Sequence, residues 1–352
     1  MVRIGVIGVG FGAKVQIPAF QAEGFDVVAV CSRQESRVGH AAKTLGIPHT
    51  YTDYRSMLEK SDLDAVSIVT PANLHYEITM ATLAAGKHVL CEKPFAMDQT
   101  QAKAMVDKAR STRRTAMVAH EFRFSPARAY VKELVGQGYI GALQTVSTTV
   151  FLSGQPSAGP PGLDWRQRSS QGGGQLGRLG SHYIDCLRDW FGEITSVSGQ
   201  VFSPETHLQN ADTPDDAFAI LMTFASGGWG SLIANFSTPL GSRVRTEIYG
   251  TDGTLCMTYP DSSPPPDGRV LGARHADAKN LQELPIPERF HVKLDGRDER
   301  LGAFRVLARR FRQGIEDGAS PAPSFQDGYC CQQVIDAVRN SNGAGKWVEI
   351  EQ

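Results

Sequence analysis

Residues 2–13 read Val2-Arg3-Ile4-Gly5-Val6-Ile7-Gly8-Val9-Gly10-Phe11-Gly12-Ala13. The run Val2–Ile7 is β-branched and predicts a buried strand. Glycines follow at once in the spacing G-x-G-x-x-(G/A), with Ala13 in the last place. Ala13–Ala22 then carries a helical pattern. Gly8 permits a tight turn, and Gly10 lets the backbone come close to a pyrophosphate. A small third residue lets the helix pack on the strand. The helix N-terminus, with Phe11 and Gly12 before it, offers N–H groups and a positive partial charge. A ligand-free turn has the same glycines. The strand before it and the helix after it point instead to a dinucleotide.

The pattern continues outward. Val27–Val30, Ala65–Val69, Val89–Cys91 and Thr115–Ala119 read as further buried strands. Ser36–Leu45, His75–Ala85 and Gln99–Arg110 read as the helices between them. Strands that are apolar on both faces and separated by helices predict a parallel, doubly wound Rossmann sheet over residues 1–123. Beyond Arg123 the pattern changes. A helix, Ser125–Val135, precedes alternating runs at Leu143–Phe151, Ser196–Phe202, Ala217–Phe224, Gly228–Phe236, Arg243–Tyr249 and Leu255–Thr258. These predict an open, mostly antiparallel sheet with helices on one face, over residues 124–352. Ser153–Gly174 and Pro260–Gly268 are rich in Gly, Pro and Ser and read as loops, the first long enough for a lid. Leu301–Glu316 and Phe325–Ser341 read as late helices, and Trp347–Ile350 as a last strand.

The chain has 352 residues, 41% of them hydrophobic, which suits two domains with their own cores. The net charge of −1 gives no basic face for nucleic acid. No apolar run approaches the ~18 residues of a membrane span, and the start does not read as a signal peptide. Six cysteines without a CxxC pair fit a reduced, cytoplasmic protein with no zinc site.

The second strand runs into Cys31-Ser32-Arg33. An NAD-preferring site places a carboxylate here, about 20 residues past the glycines, for the ribose 2′-hydroxyl. None is present. Ser32 can donate to a phosphate and Arg33 can offer a cationic fork, which favours NADP over NAD. A solvated Arg33 would leave that choice open.

Three further motifs converge: Thr70-Pro71-Ala72-Asn73-Leu74-His75, then Glu92-Lys93-Pro94, then Gly172-Gly173-Gly174 running on to Gly180-Ser181-His182-Tyr183-Ile184-Asp185. With the opening glycines, they resemble the family of glucose–fructose oxidoreductase, inositol dehydrogenase and MocA. The resemblance covers Val2 to about Ile350. It implies a Rossmann domain and a sheet domain meeting at a cleft, and a homodimer or homotetramer with a carbohydrate-like substrate. It implies that Lys93, after a strand and before an often cis proline, hydrogen-bonds the reacting oxygen and shuttles its proton. It implies His182 as an acid/base and Asp185, one turn on, as a group that orients the ring or binds a substrate hydroxyl. Thr70, Pro71, Asn73, His75 and Glu92 would line the cofactor. Asn73 would also cap the helix starting at His75.

The resemblance breaks at one position. Where the family carries an Asp four residues before the histidine, this chain has Arg178. Arg178 would bind an anionic sugar derivative, or pair with a carboxylate such as Glu121, or weaken hydride transfer. The sequence thus predicts an NAD(P)-dependent oxidoreductase acting on a secondary alcohol or ketone of a sugar or cyclitol. Two alternatives stand beside it: a lyase or glycosidase that oxidises its substrate transiently, and a cofactor-binding protein with little catalysis.

Overall fold

The computed structural model describes residues 1–152, 165–203, 212–238, 240–241, 243–259, 268–293, 296 and 298–351. Most of the expected lid and the Pro260–Gly268 loop lie outside these residues.

Strand β1 (Arg3–Ile7) leads through the glycines and a π-type turn, Gly12–Gln16, into α1 (Ile17–Ala22). There follow β2 (Asp26–Cys31), α2 (Glu35–Leu45), β3 (His49–Tyr51), α3 (Tyr54–Lys60) and β4 (Ala65–Ile68). Then come α4 (His75–Ala84), β5 (His88–Cys91), α5 (Gln99–Thr112) and β6 (Ala116–Val118). The strands pair in parallel in the order β3-β2-β1-β4-β5-β6. The order reverses beside β1, so the carboxyl ends of β1 and β4 form the crevice where a nucleotide binds in such sheets. β3 and α3 are absent from the sequence-based expectation. β3 has only three residues, none of them buried, so it carries no apolar run.

Among the described residues the second sheet has nine strands. Its elements are α6 (Pro126–Gly136), β7 (Leu143–Phe151), α7 (Ser181–Phe191), β8 (Ile194–Phe202), β9 (Ala217–Phe224), β10 (Trp229–Asn235), β11 (Arg243–Gly250) and β12 (Gly253–Tyr259). They are followed by β13 (Arg269–Arg274), β14 (Gln282–Glu283), α8 (Leu301–Asp317), α9 (Phe325–Ala344) and β15 (Val348–Glu349). The strand order is β14-β13-β12-β11-β7-β10-β9-β8-β15. All described pairings are antiparallel except β7 with β10. Even-numbered residues such as Val146, Phe218, Leu232 and Ile248 are buried, while Leu221, Trp229, Ile233 and Tyr249 on the opposite parity are exposed. The period of two therefore gives one covered and one open face.

By contact the chain divides into residues 1–121 with 292–332, and residues 122–291 with 333–352. The contiguous division expected at 123/124 needs correction, because residues 292–332 return to the nucleotide half. The reason lies in α8. Phe304 meets Phe20 and Phe11 edge-on at 5.8 and 6.1 Å, and Phe311 stacks on Phe25 at 6.2 Å. Buried Glu23 accepts from Arg305 and Arg309 at 2.8 and 2.9 Å. A helical pattern alone does not say which sheet will receive it.

Candidate active site

In the nucleotide half, Gly8 takes φ +118°, and a Cβ there would fall 2.3 Å from the Val69 carbonyl oxygen. Only glycine fits such a turn. A Cβ at Gly10 would meet nothing within 4 Å. The backbone there is open, as the approach of a diphosphate requires. Close packing on β1 falls at Gly12, whose added Cβ would lie 3.2 Å from Val6. Phe11 presents its ring beside the loop, with the Arg300 guanidinium 5.0 Å from its centre. Ser32 is half-buried at the end of β2, and Arg33 is exposed.

The Lys93–Pro94 peptide is cis, and Lys93 is half-buried just past β5. A buried polar chain leads to it. Ser67 donates to Gln16 Oε1 at 2.6 Å, and Gln16 donates to Glu92 Oε1 at 2.7 Å. The Lys93 amide donates to the other Glu92 oxygen at 3.1 Å. Gln16 belongs to the turn that the glycines open, so one side chain ties the phosphate loop to the lysine motif. Glu121 sits past the end of the neighbouring strand β6 and is also buried. Burial and the charge of Glu92 push its carboxyl up to about 8, against the pull of Lys93 and Arg300. Burial raises Glu92 as well. Both buried carboxyl groups therefore favour the protonated form more than an exposed glutamate does.

His75 is buried, with Nδ1 2.9 Å from the Pro94 oxygen and Nε2 2.9 Å from the Thr70 oxygen. Burial holds its pKa below the ordinary value. It braces the Thr70–Pro71 loop against the proline, so the expected direct cofactor contact becomes a supporting one. Asn73 lies in a 3₁₀ turn, Ala72–Leu74, and makes no side-chain cap to α4. The capping expectation fails because the turn shifts the helix start past it.

In the second half, a π-type turn, Leu176–Gly180, runs into α7, which carries His182. The glycines before it are packed. A Cβ at Gly174 would sit 2.3 Å from Asp215, which accepts the Leu176 N–H at 2.7 Å. A Cβ at Gly180 would sit 3.0 Å from Phe218 on β9. His182 is buried and stacks on Phe122 at 3.9 Å with 8° between planes. Both Asp185 oxygens accept from the Arg123 fork at 2.6 Å, and Arg123 also reaches Asp189 at 3.0 Å. Asp185 is completely buried in this pairing, so the expectation that it binds a substrate hydroxyl is replaced by an anchoring role. The Arg178 guanidinium lies 5.7 Å from the Trp165 ring centre, a cation–π contact. Gln16, Phe122, Arg123 and Asp215 escaped sequence reasoning. Their partners lie far away in the chain, so no local spacing marks them. Among the described residues no cluster of His, Cys, Asp or Glu could hold a metal ion.

A switch-point crevice, an open glycine loop and a lysine linked to that loop through a buried carboxyl group define a Rossmann-fold oxidoreductase. Residues 2–120 match the profile of the oxidoreductase family with an NAD-binding Rossmann fold, and residues 129–256 match the GFO/IDH/MocA C-terminal domain. The chain belongs to the Gfo/Idh/MocA family. It is 28% identical to levoglucosan dehydrogenase of Pseudarthrobacter phenanthrenivorans, over 99% of this chain and 98% of that protein. It is also 28% identical to D-xylose 1-dehydrogenase (NADP(+)) 2 of Haloferax volcanii, over 99% of each. The solved complex of levoglucosan dehydrogenase with NADH and levoglucosan superposes with a TM-score of 0.88, covering 100% of both chains at 27% identity.

Proposed function

We propose that this oxidoreductase moves a hydride between NADP(H) and a secondary alcohol or ketone of a sugar or cyclitol. The observation that carries the reading is the Gln16 bridge from the phosphate loop to Glu92 and so to Lys93. Relatives named for levoglucosan and D-xylose support the substrate class. The missing carboxylate at Ser32–Arg33 supports NADP over NAD.

The bound nicotinamide supplies or accepts the hydride. In the direction of oxidation, Lys93 Nζ accepts the proton leaving the substrate hydroxyl, and the Glu92–Glu121 pair can hold it next. His182, on the second half, is the further acid/base group. Arg178 on its Trp165 face is a cation for an acidic substituent of the substrate. A reducing, cytoplasmic setting fits six free cysteines. The open face of the nine-stranded sheet, with Leu221, Trp229, Ile233 and Tyr249 exposed, suits pairing with a second copy.

The test is nicotinamide fluorescence on the stripped protein, titrated with NADPH and NADH, then turnover on neutral polyols and sugar acids. The expected result is tighter NADPH binding and net nicotinamide reduction. Tighter NADH binding removes Arg33 from the site and keeps the rest. Conversion of a glycoside with no net change in nicotinamide favours the transient-oxidation alternative. Binding without any turnover overturns the enzymatic reading.

A further inference from the structure

Arg128 in α6 is a cation buried to 2% exposure. Its Nη1 donates to the Tyr259 hydroxyl at 2.9 Å and to Ser125 Oγ at 3.1 Å, and it also bonds Tyr183. Its guanidinium carbon lies 4.5 Å from the ring centre of Phe122, 4.6 Å from that of Tyr259 and 5.6 Å from that of Tyr183. None of these partners is a carboxylate. The acids of α7, the helix that carries Tyr183, are engaged elsewhere: Asp185 by Arg123, and Asp189 by Arg123 and Lys132. A buried charge without a counter-charge is costly, and a hydrophobe of similar volume serves plain packing as well. The three ring faces offset part of that cost.

Phe122 is also the ring on which His182 stacks, 3.9 Å away and nearly parallel. A planar group at that separation fills one face of a ring, so the guanidinium takes the other. Arg128, Phe122 and His182 then form one stack. We infer that Arg128 is a positioning residue for His182: it clamps Phe122, and Phe122 fixes the plane of the imidazole. The inference rests on the reading of His182 as an acid/base group. It adds the means by which a buried imidazole keeps one orientation.

The experiment follows the imidazole signals of ¹³C-histidine protein by NMR, with His182 assigned from His182→Asn. Stacking on Phe122 shifts the His182 ring protons upfield. Arg128→Met is expected to move those signals downfield, towards their position in Phe122→Leu. It is also expected to lower kcat about ten- to a hundredfold, the scale of a small misplacement, with KM for the nicotinamide cofactor unchanged. Adding Arg128→Met to Phe122→Leu should lower kcat no further, because both act through one contact. Unmoved His182 signals in Arg128→Met, or two losses that multiply, overturn the inference. Should Arg128→Met not fold, Arg128→Lys keeps the charge and loses the planar fork. His182 signals unmoved in that variant overturn the inference equally. If the signals move as expected but His182→Asn keeps full turnover, the clamp stands and the acid/base reading of His182 fails.

Discussion

Lys93 stands at the end of a polar chain that starts on β4 and passes through the phosphate-loop turn. Lys93→Met is expected to lower kcat by about 10²–10⁴-fold, the usual worth of a positioned proton-transfer group, and to leave binding of the nicotinamide cofactor intact. Single-turnover rates beside fluorescence titrations check it. Glu121 makes a prediction in pH. Its carboxyl is raised from an ordinary 4.5 to about 8, so folding favours its protonated form. The folded state then holds a proton that the unfolded chain has released. That stabilising contribution is whole below about 4.5 and is lost as pH climbs towards 8. Glu121→Gln should therefore flatten stability across this window and stabilise the protein most at pH 8, as urea unfolding at pH 5 and 8 would register. Gly8 and Gly10 were legible because each belongs to a short motif with one mechanical meaning. The duties of His75 and Asp185 were not, because their partners are carbonyl oxygens and an arginine distant in the chain.

The turn into α7 depends on an acid from another part of the chain. Asp215 holds the Leu176 N–H and presses on the space a Gly174 side chain would need. Asp215→Ala leaves that N–H unmet and should cost about 1–3 kcal/mol in thermal or urea unfolding. If the turn also positions His182, kcat falls with it, while KM for the nicotinamide cofactor stays unchanged. The elements with the clearest periods were read closely: β7 and β9 occupy the runs expected for them. β13 and β14 were missed, since β13 does not alternate cleanly and both residues of β14, Gln282 and Glu283, are exposed and polar. The return of α8 was likewise invisible, because its apolar stripe fits any sheet face.

The nine-stranded sheet exposes large apolar side chains across neighbouring strands, with Trp229, Ile233 and Leu221 on one side of the ladder. A second copy covering them would make a dimer, and sedimentation equilibrium reads it directly. Trp229→Glu with Ile233→Glu should halve the sedimenting mass of such a dimer while leaving each chain folded, by unchanged circular dichroism. A mass already equal to one chain for the unaltered protein would refute the pairing. The division of the chain has a separate consequence for descent. The backbone passes from one half to the other three times, near residues 121, 291 and 332. Recombination at a single junction would leave the nucleotide half without α8, whose phenylalanines cover Phe20 and Phe25. A lineage that exchanged its second half wholesale would need three coordinated breakpoints. New specificities in this architecture should therefore arise by substitution within the second half far more readily than by shuffling it.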